Sequence, residues 1–146
     1  MPVPFRYYLR VRYGECDAQR VVFNARYADY IDIATTELFR ALGLAEQVNS
    51  GAFDFQLVKQ TIEWSAPTRL DDILEISVQL QRVGTTSFTL SAEFRRAGEP
   101  ATLARAETVY VAVDAHTLQK KPVPVDVRAA LTAGTSRVTD HAGYRG

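Results

Sequence analysis

The chain opens with a strict alternation of apolar and polar side chains between residues 5 and 13. The apolar positions that share one face are Phe5, Tyr7, Leu9, Val11 and Tyr13. The opposite face carries Arg6, Tyr8, Arg10 and Arg12. Because successive side chains of a strand point to opposite faces, this alternation predicts a half-buried strand. The pattern breaks at Gly14, where a loop leads to a short apolar run at residues 21–23.

From Asn24 the spacing changes to that of an amphipathic helix. The apolar positions on its main stripe are Tyr27, Tyr30, Ile31, Ala34, Leu38, Ala41 and Leu42. Asn24 is a residue type that caps helix N-termini, and Gly43 can adopt the left-handed conformation that ends a helix. Ile33 and Phe39 lie off the stripe, so we expect the helix to be wrapped by a sheet or by a partner chain.

The rest of the chain predicts strands joined by short turns. The extended segments are 53–64, 74–81, 88–94 and 102–113, with turns at 84–86 and 97–100. These short connections predict an antiparallel meander of the last three strands. Residues 124–132 are expected to form a short helix, and the polar tail after Gly134 is expected to be loose. The order is typical of an α+β protein with one sheet on one long helix, in a single domain of residues 1–134 followed by a tail of residues 135–146.

Composition limits the classes of protein that this chain can represent. Its 146 residues suit one domain, and 17 basic residues balance 17 acidic ones, which argues against a nucleic-acid binder. The single cysteine excludes an intrachain disulfide and favours a reducing compartment. Arginines interrupt the N-terminal segment, and no apolar run approaches the roughly 18 residues that cross a membrane. We therefore expect a cytoplasmic location and no membrane partner.

Several familiar catalytic motifs are missing from the sequence. It contains no G-x-S-x-G, Walker A or G-x-G-x-x-G pattern. The two histidines, His116 and His141, are not spaced as a metal pair, and Cys16 has no histidine near it in sequence. We therefore expect no metal site, and if the chain catalyses hydrolysis, a carboxylate must lead the reaction.

The segment from Tyr13 to Tyr27, YGECDAQRVVFNARY, resembles the signature of the 4-hydroxybenzoyl-CoA thioesterase-like branch of the hotdog superfamily. In that signature an aspartate is followed by a turn, two branched apolar residues, an aromatic residue and the start of the central helix. Residues 64–72 and 82–88 also resemble the family's later turns. The resemblance implies the hotdog fold, an antiparallel sheet wrapped around one long helix in the order β-α-β-β-β-β. It also implies an acyl-CoA substrate, whose CoA group makes a separate cofactor unnecessary.

The resemblance assigns catalytic roles to two residues. Asp17 is the nucleophile or general base, and the amide of Asn24 polarises the thioester carbonyl. The second role has an independent physical basis, because a helix N-terminus presents unpaired N–H groups and a partial positive charge. The chain departs from the family at Arg20, where many members have glycine. Some members also carry histidine where this chain has Asn24, so a mechanism that needs that histidine is excluded.

The residues predicted to contact substrate are Phe23, Tyr27, Glu37, Trp64, Arg82, Thr85 and Thr86. Each has a structural alternative: an aromatic side chain can belong to the core or to a subunit contact, and a charge can be solvated or ion-paired. Asp17 itself can be an ordinary turn residue. Glu15 is expected to be a solvated charge at a strand end, and Cys16 a packing residue.

The sequence therefore predicts an acyl-CoA thioesterase that forms a homo-oligomer, either a dimer or a tetramer. Two alternatives stay open. The first is a hotdog dehydratase or hydratase, although such enzymes usually pair a histidine with an acidic residue and no histidine lies near the helix start. The second is a module that binds acyl-CoA without hydrolysing it.

Overall fold

A computed structural model describes residues 3–145. The helices are α1 (Arg26–Ala41), α2 (Ala45–Ser50) and α3 (Val125–Ala133). The strands are β1 (Phe5–Arg10), β2 (Asp54–Trp64), β3 (Ile73–Val83), β4 (Ser87–Arg96), β5 (Thr102–Val113) and β6 (Val138–Asp140). A single 3-10 turn, Tyr13–Glu15, follows β1. The long helix and the strands predicted from the sequence are confirmed, whereas α2 and β6 were not predicted.

The strands form one sheet in the order β2-β5-β4-β3-β1-β6. The meander of β3, β4 and β5 is antiparallel, as predicted, and β1 and β2 join it as antiparallel neighbours. Only β6 runs parallel to its neighbour β1. This arrangement confirms an α+β fold with one sheet packed on one long helix.

Helix α1 lies across the sheet and buries its apolar stripe against it. Tyr27, Tyr30 and Ala34 are each at most 1% exposed. Phe39 is also buried, because it packs edge-on against Phe53, Phe55 and Phe88. Ile33, the other residue off the stripe, stays 39% exposed in the part of the chain that the structure describes.

The end of α1 follows the sequence prediction. Gly43 has a φ of +79°, in the left-handed region that few other residues adopt. Its N–H bonds to the carbonyl of Arg40, and the N–H of Leu44 bonds to the carbonyl of Phe39. The chain thus leaves the helix in a sharp turn.

The C-terminal segment is not the loose tail that the sequence predicted. Residues 138–140 extend the sheet beside β1, and Tyr144 stacks on Tyr8 with ring centroids 5.1 Å apart. Tyr8 was assigned to the polar face of β1, yet it is only 3% exposed because this segment covers it. The alternation of side chains along a strand shows which of them share a face. It does not show that a segment later in the chain covers the polar face.

Within residues 3–145, no helix combines the length and the apolar character that a membrane crossing requires.

Candidate functional site

The loop that carries Asp17 is a small hairpin. Cys16 pairs with Val22 in an isolated antiparallel bridge, and the N–H of Asp17 donates to the carbonyl of Val21 at 3.0 Å. The N–H of Arg20 donates back to the carbonyl of Asp17 at 2.9 Å. Arg20 has a φ of +63°, a left-handed conformation that favours glycine. The departure from the family pattern at this position therefore leaves the turn intact but places a side chain where it is strained.

The connection between β2 and β3 holds this hairpin in place. The N–H of Val22 donates to the carbonyl of Thr68 at 2.8 Å, and the N–H of Leu70 donates to the carbonyl of Arg20 at 3.1 Å. Thr68 is fully buried and its Oγ1 accepts the hydroxyl of Tyr27 at 3.0 Å. The hairpin is therefore tied both to the sheet and to the first turn of α1.

The side chain of Asp17 is exposed at the tip of this hairpin. Its Oδ1 accepts the N–H of Gln19 at 2.8 Å, an Asx turn that fixes the orientation of the carboxylate. Within residues 3–145, no group donates a hydrogen bond to Oδ2. One oxygen of Asp17 is thus held by the loop while the other is available to a substrate or a water molecule.

The start of α1 lies directly after the hairpin. The N–H of Phe23 donates to the carbonyl of Glu15 at 3.0 Å, and the N–H of Arg26 donates to the carbonyl of Phe23 at 2.8 Å. The residue at the N-cap is Ala25, without a side-chain cap, so the prediction that Asn24 caps the helix is wrong. Across the described chain, the N–H groups of Asn24 and Ala25 have no protein acceptor. These free donors and the helix dipole make the segment a favourable place for negative charge.

Glu15 is buried, not solvated as the sequence suggested. Its side chain keeps only 11% of its accessible surface. Oε1 accepts the backbone N–H of Arg12 and the hydroxyl of Tyr30, each at 2.8 Å. Oε2 accepts Nη2 of Arg12 at 2.8 Å and Nε at 3.1 Å. The spacing of Arg12 and Glu15 by three residues is a sequence pattern that could have indicated their ion pair. The contact between Glu15 and Tyr30 could not be predicted from that spacing.

These contacts set the ionisation of the cluster. Burial raises the pKa of Glu15, but the hydrogen bonds from Arg12 and Tyr30 outweigh it, and the net pKa lies below the ordinary value. Burial and the neighbouring carboxylate of Glu15 together raise the pKa of Tyr30. Glu15 is therefore a carboxylate at neutral pH and Tyr30 keeps its proton as a hydrogen-bond donor.

The aromatic residues predicted to contact substrate divide into buried and exposed ones. Tyr27 is 1% exposed and packs edge-on against Tyr30, Trp64 and Phe94, so it is part of the core. Phe23 is 54% exposed beside the hairpin, and Trp64 is 46% exposed at the end of β2. The described residues thus leave two aromatic side chains accessible near the start of α1.

Glu37 lies too far along α1 to share a thioester with the helix start. Eleven residues separate it from Arg26, a rise of about 16 Å. Its carboxylate pairs with Nε of Arg40 at 3.4 Å. Burial raises the pKa of Tyr7, and the charge of Glu37 raises it further. The sequence left open whether Glu37 contacts substrate or forms an ion pair. Within a single chain, the geometry favours the ion pair with Arg40.

Arg82, Thr85 and Thr86 lie at the opposite end of the sheet from Asp17. The Asp17 hairpin contacts the chain just before the first residue of β3. Arg82 lies near the last residue of β3, and Thr85 and Thr86 follow that strand. Ten steps along a strand correspond to about 33 Å. A single chain therefore does not bring them to Asp17.

The remaining nucleophilic and metal-binding side chains lie elsewhere. Nδ1 of His141 is 2.8 Å from the hydroxyl of Tyr7, and His116 is exposed in the loop that follows β5. Burial, the carboxylate of Glu15 and that of Asp17 raise the pKa of the Cys16 thiol, which disfavours the thiolate. Among residues 3–145, no three His, Cys, Asp or Glu side chains converge closely enough to hold a metal ion.

Comparisons with known proteins show the family to which this chain belongs. A family model described as the thioesterase-like superfamily matches residues 11–131. The Escherichia coli acyl-CoA thioester hydrolase YbgC is 32% identical over 126 residues, which cover 86% of this chain and 93% of that protein. The 1,4-dihydroxy-2-naphthoyl-CoA hydrolase of Synechococcus elongatus is 26% identical over 117 residues, covering 78% of this chain and 85% of its own length. The solved structure of the Escherichia coli probable thioesterase YbaW matches at a TM-score of 0.76, with 25% identity over 86% of this chain and 95% of that one.

The fold and these matches define a hotdog-fold thioesterase. The chain belongs to the thioesterase-like superfamily, and its enzyme class is that of the thioester hydrolases. The family assignment made from residues 13–27 is thereby confirmed.

Proposed function

We propose that this protein hydrolyses the thioester bond of an acyl-CoA to a free acid and CoA, with Asp17 as the nucleophile or general base. The observation that carries the proposal is the position of the Asp17 hairpin directly before a helix start, where two N–H groups have no acceptor within the described residues. Val21, the residue opposite Asp17, is three residues before Asn24. That spacing limits the backbone distance from Val21 to Asn24 to about 10 Å. Asp17 lies beside Val21 in the hairpin, so its carboxylate and the N–H of Asn24 are close enough to border one substrate site.

The chemistry requires only these groups and water. As a nucleophile, the free oxygen of Asp17 attacks the carbonyl carbon, the C–S bond breaks, CoA leaves as a thiolate and water then hydrolyses the anhydride. As a general base, the same oxygen takes a proton from the attacking water. In both routes the carbonyl oxygen becomes negative, and the N–H of Asn24 would stabilise it. No cofactor takes part, since CoA belongs to the substrate.

The relatives support a CoA ester as the substrate class. Both the Escherichia coli and the Synechococcus proteins carry names that specify hydrolysis of a CoA thioester. Neither histidine of this chain lies at the helix start, so the geometry offers no support for the alternative of a dehydratase or hydratase. A cytoplasmic location stays a prediction.

The proposal includes a second copy of the chain. In the described chain β2 pairs only with β5, so one edge of this long strand is open. Along it Leu57, Val58 and Trp64 are 47%, 57% and 46% exposed. Open apolar edges are usually paired or covered in native proteins. We propose that β2 pairs with the β2 of a partner subunit to form a dimer, which can assemble further into a tetramer.

Antiparallel pairing of two β2 strands would also account for the distant substrate-binding residues. The Asp54 end of β2 pairs with the Val113 end of β5, which lies at the same end of the sheet as the turn of Thr85 and Thr86. A two-fold axis midway between the two paired β2 strands would bring this end of the partner subunit beside the Asp17 end of the first. Arg82, Thr85 and Thr86 would then contact CoA bound across the two subunits.

The substitution Asp17→Asn tests the proposed chemistry. The two side chains have nearly the same size, and the amide oxygen can still accept the N–H of Gln19. The amide can neither attack a carbonyl nor accept a proton from water. We expect kcat for CoA release, followed with a thiol reagent over a panel of acyl-CoAs, to fall by roughly 10² to 10⁴ with KM changed much less. Wild-type turnover in this variant would show that the base lies elsewhere.

If the wild type binds acyl-CoA but releases no CoA from any member of the panel, the binding module becomes the better description.

The substitution Val58→Glu tests the proposed dimer. A buried charge at the centre of the β2 edge should prevent pairing, so the mass in light scattering should fall to the 16.3 kDa of one chain. Val125→Glu is the matched control, since Val125 is 85% exposed at the start of α3 and lies away from β2. A wild-type protein that is already monomeric at micromolar concentration would contradict this part of the proposal.

A further inference from the structure

The buried carboxylate of Glu15 connects the two groups to which the proposed function assigns the chemistry. Asp17 follows it by two residues in the same hairpin. Asn24 follows Phe23, whose N–H bonds to the carbonyl of Glu15 at 3.0 Å. We infer that Glu15 is a positioning residue that holds Asp17 at a fixed distance from the start of α1. This inference rests on the proposed function.

The carboxylate of Glu15 contacts the central helix. Tyr30 lies one turn inside α1, and its hydroxyl donates to Oε1 of Glu15 at 2.8 Å. Tyr30 is 1% exposed, so its ring is fixed by packing and cannot swing away from the carboxylate. A hydrogen bond from a buried hydroxyl to an ionised carboxylate is among the stronger ones in proteins. The hydrogen bond between Tyr30 and Glu15 holds the hairpin against the side of the helix.

The same carboxylate also contacts the segment that enters the hairpin. Arg12 contributes its backbone N–H, Nε and Nη2 to the same carboxylate. Together with Tyr30, these donors occupy both oxygens of Glu15. The side chain therefore has one orientation, and a rotation would leave a buried hydroxyl or the carboxylate itself without a partner.

Catalysis is sensitive to small displacements of the reacting groups. A shift of about 1 Å between a catalytic group and its electrophile can cost about 10²-fold in rate. The side chain of Asp17 is exposed and is held directly only by the local turn with Gln19. Its position relative to α1 thus depends in part on the residues before it. Of those that the structure describes, Glu15 alone bonds to the helix through its side chain.

The test compares two tyrosine hydroxyls that make the same kind of bond. Tyr30→Phe removes the donor to Glu15. Tyr8→Phe removes a hydroxyl that donates to Oε2 of Glu75, also at 2.8 Å, on the opposite face of the sheet. We expect Tyr30→Phe to lower kcat for acyl-CoA hydrolysis on the order of 10-fold with little change in KM, because the displacement affects the reacting groups. Tyr8→Phe should keep the wild-type kcat, although both variants lose a hydrogen bond from a tyrosine hydroxyl to a glutamate carboxylate.

Two further measurements separate positioning from general stability. Glu15→Gln should lower kcat at least as much as Tyr30→Phe, and the double variant should lose no more than Glu15→Gln alone, since both changes break one connection. Hydrogen exchange of the amides in residues 17–25 should accelerate in Tyr30→Phe and not in Tyr8→Phe. Wild-type kcat in Tyr30→Phe, a loss confined to KM, or equal loss in Tyr8→Phe would each overturn the inference.

The inference and the proposed function fail in different ways. If Asp17→Asn keeps its turnover, the proposed function is wrong whatever Glu15 does. If Asp17→Asn is inactive while folded Tyr30→Phe and Glu15→Gln proteins both turn over at the wild-type rate, the proposed function stands and the positioning role of Glu15 is refuted.

Discussion

The hydroxyl of Tyr30 donates a 2.8 Å hydrogen bond to Oε1 of Glu15, so the long central helix and the loop of Asp17 are joined by a buried polar contact. The carboxylate is satisfied on both oxygens, which offsets the free energy of removing its charge from water. The buried carboxylate of Glu15 therefore holds the loop rigidly, while the side chain of Asp17 in the same loop is exposed. The same contact makes the stability of the site dependent on pH.

The first prediction concerns that pH dependence. The pKa of Glu15 in the folded chain lies below its ordinary value of 4.5, so its ionisation favours the folded state. This contribution is complete above the unfolded pKa and is lost as the pH falls through the folded pKa. We expect Glu15→Gln to unfold at lower urea concentration than the wild type at pH 7. The difference should shrink steadily as unfolding is repeated at pH values below 4.5.

Asp114 and Asp140 also have lowered pKa values, because backbone N–H groups donate to their carboxylates. The loss of stability that these two aspartates cause at low pH is the same in the wild type and in Glu15→Gln. Only the difference between the two proteins therefore reports on Glu15. A difference that stays constant from pH 7 to pH 3 would contradict the prediction.

The second prediction concerns Arg20. Its φ of +63° costs a residue with a side chain roughly 1 to 2 kcal/mol, whereas glycine adopts it freely. Glycine also gains entropy in the unfolded chain, which removes about 0.4 to 1 kcal/mol of that advantage. We expect Arg20→Gly to raise the free energy of unfolding by up to about 1 kcal/mol in urea titrations. Arg20→Ala keeps the strained conformation and should bring no gain, so equal effects of the two variants would refute the explanation.

The sequence predicted the fold well because the periodicity of α1 and of the meander is regular. It assigned Asp17 and the helix start to one region, since they are close along the chain. It failed on Glu15 and Tyr8, both of which looked polar and solvated. Each is buried by a contact distant in sequence: Glu15 by Tyr30, and Tyr8 by the C-terminal segment. Local sequence patterns do not reveal contacts between residues that are distant in sequence. They reveal even less about contacts with a partner subunit.

The third prediction concerns the C-terminal segment. Deleting residues 135–146 removes the parallel pairing of β6 with β1, the contact of His141 with Tyr7 and the stacking of Tyr144 on Tyr8. An aromatic pair and a hydrogen bond each contribute about 0.5 to 1.5 kcal/mol, and the exposed tyrosines add lost apolar burial. We expect the free energy of unfolding to fall by about 2 to 4 kcal/mol, measured by urea denaturation. An unchanged value would mean that the segment is loose in solution, as its composition suggests.

The last prediction separates the backbone of Asn24 from its side chain. In the described chain the side chain makes no hydrogen bond to protein, and Ala25 occupies the N-cap. Asn24→Ala should therefore cost well under the roughly 1 kcal/mol of a lost cap and should keep most activity.

The comparison variant is Asn24→Pro, which removes the N–H that would stabilise the oxyanion. Because that N–H has no acceptor among residues 3–145, the substitution breaks no hydrogen bond of the described fold. We expect kcat to fall on the order of 10²-fold, the typical effect of removing one oxyanion donor. Circular dichroism and thermal unfolding should verify that both variants are folded before their rates are compared. If folded Asn24→Ala loses as much kcat as Asn24→Pro, the carboxamide acts on the substrate, and the backbone assignment is wrong.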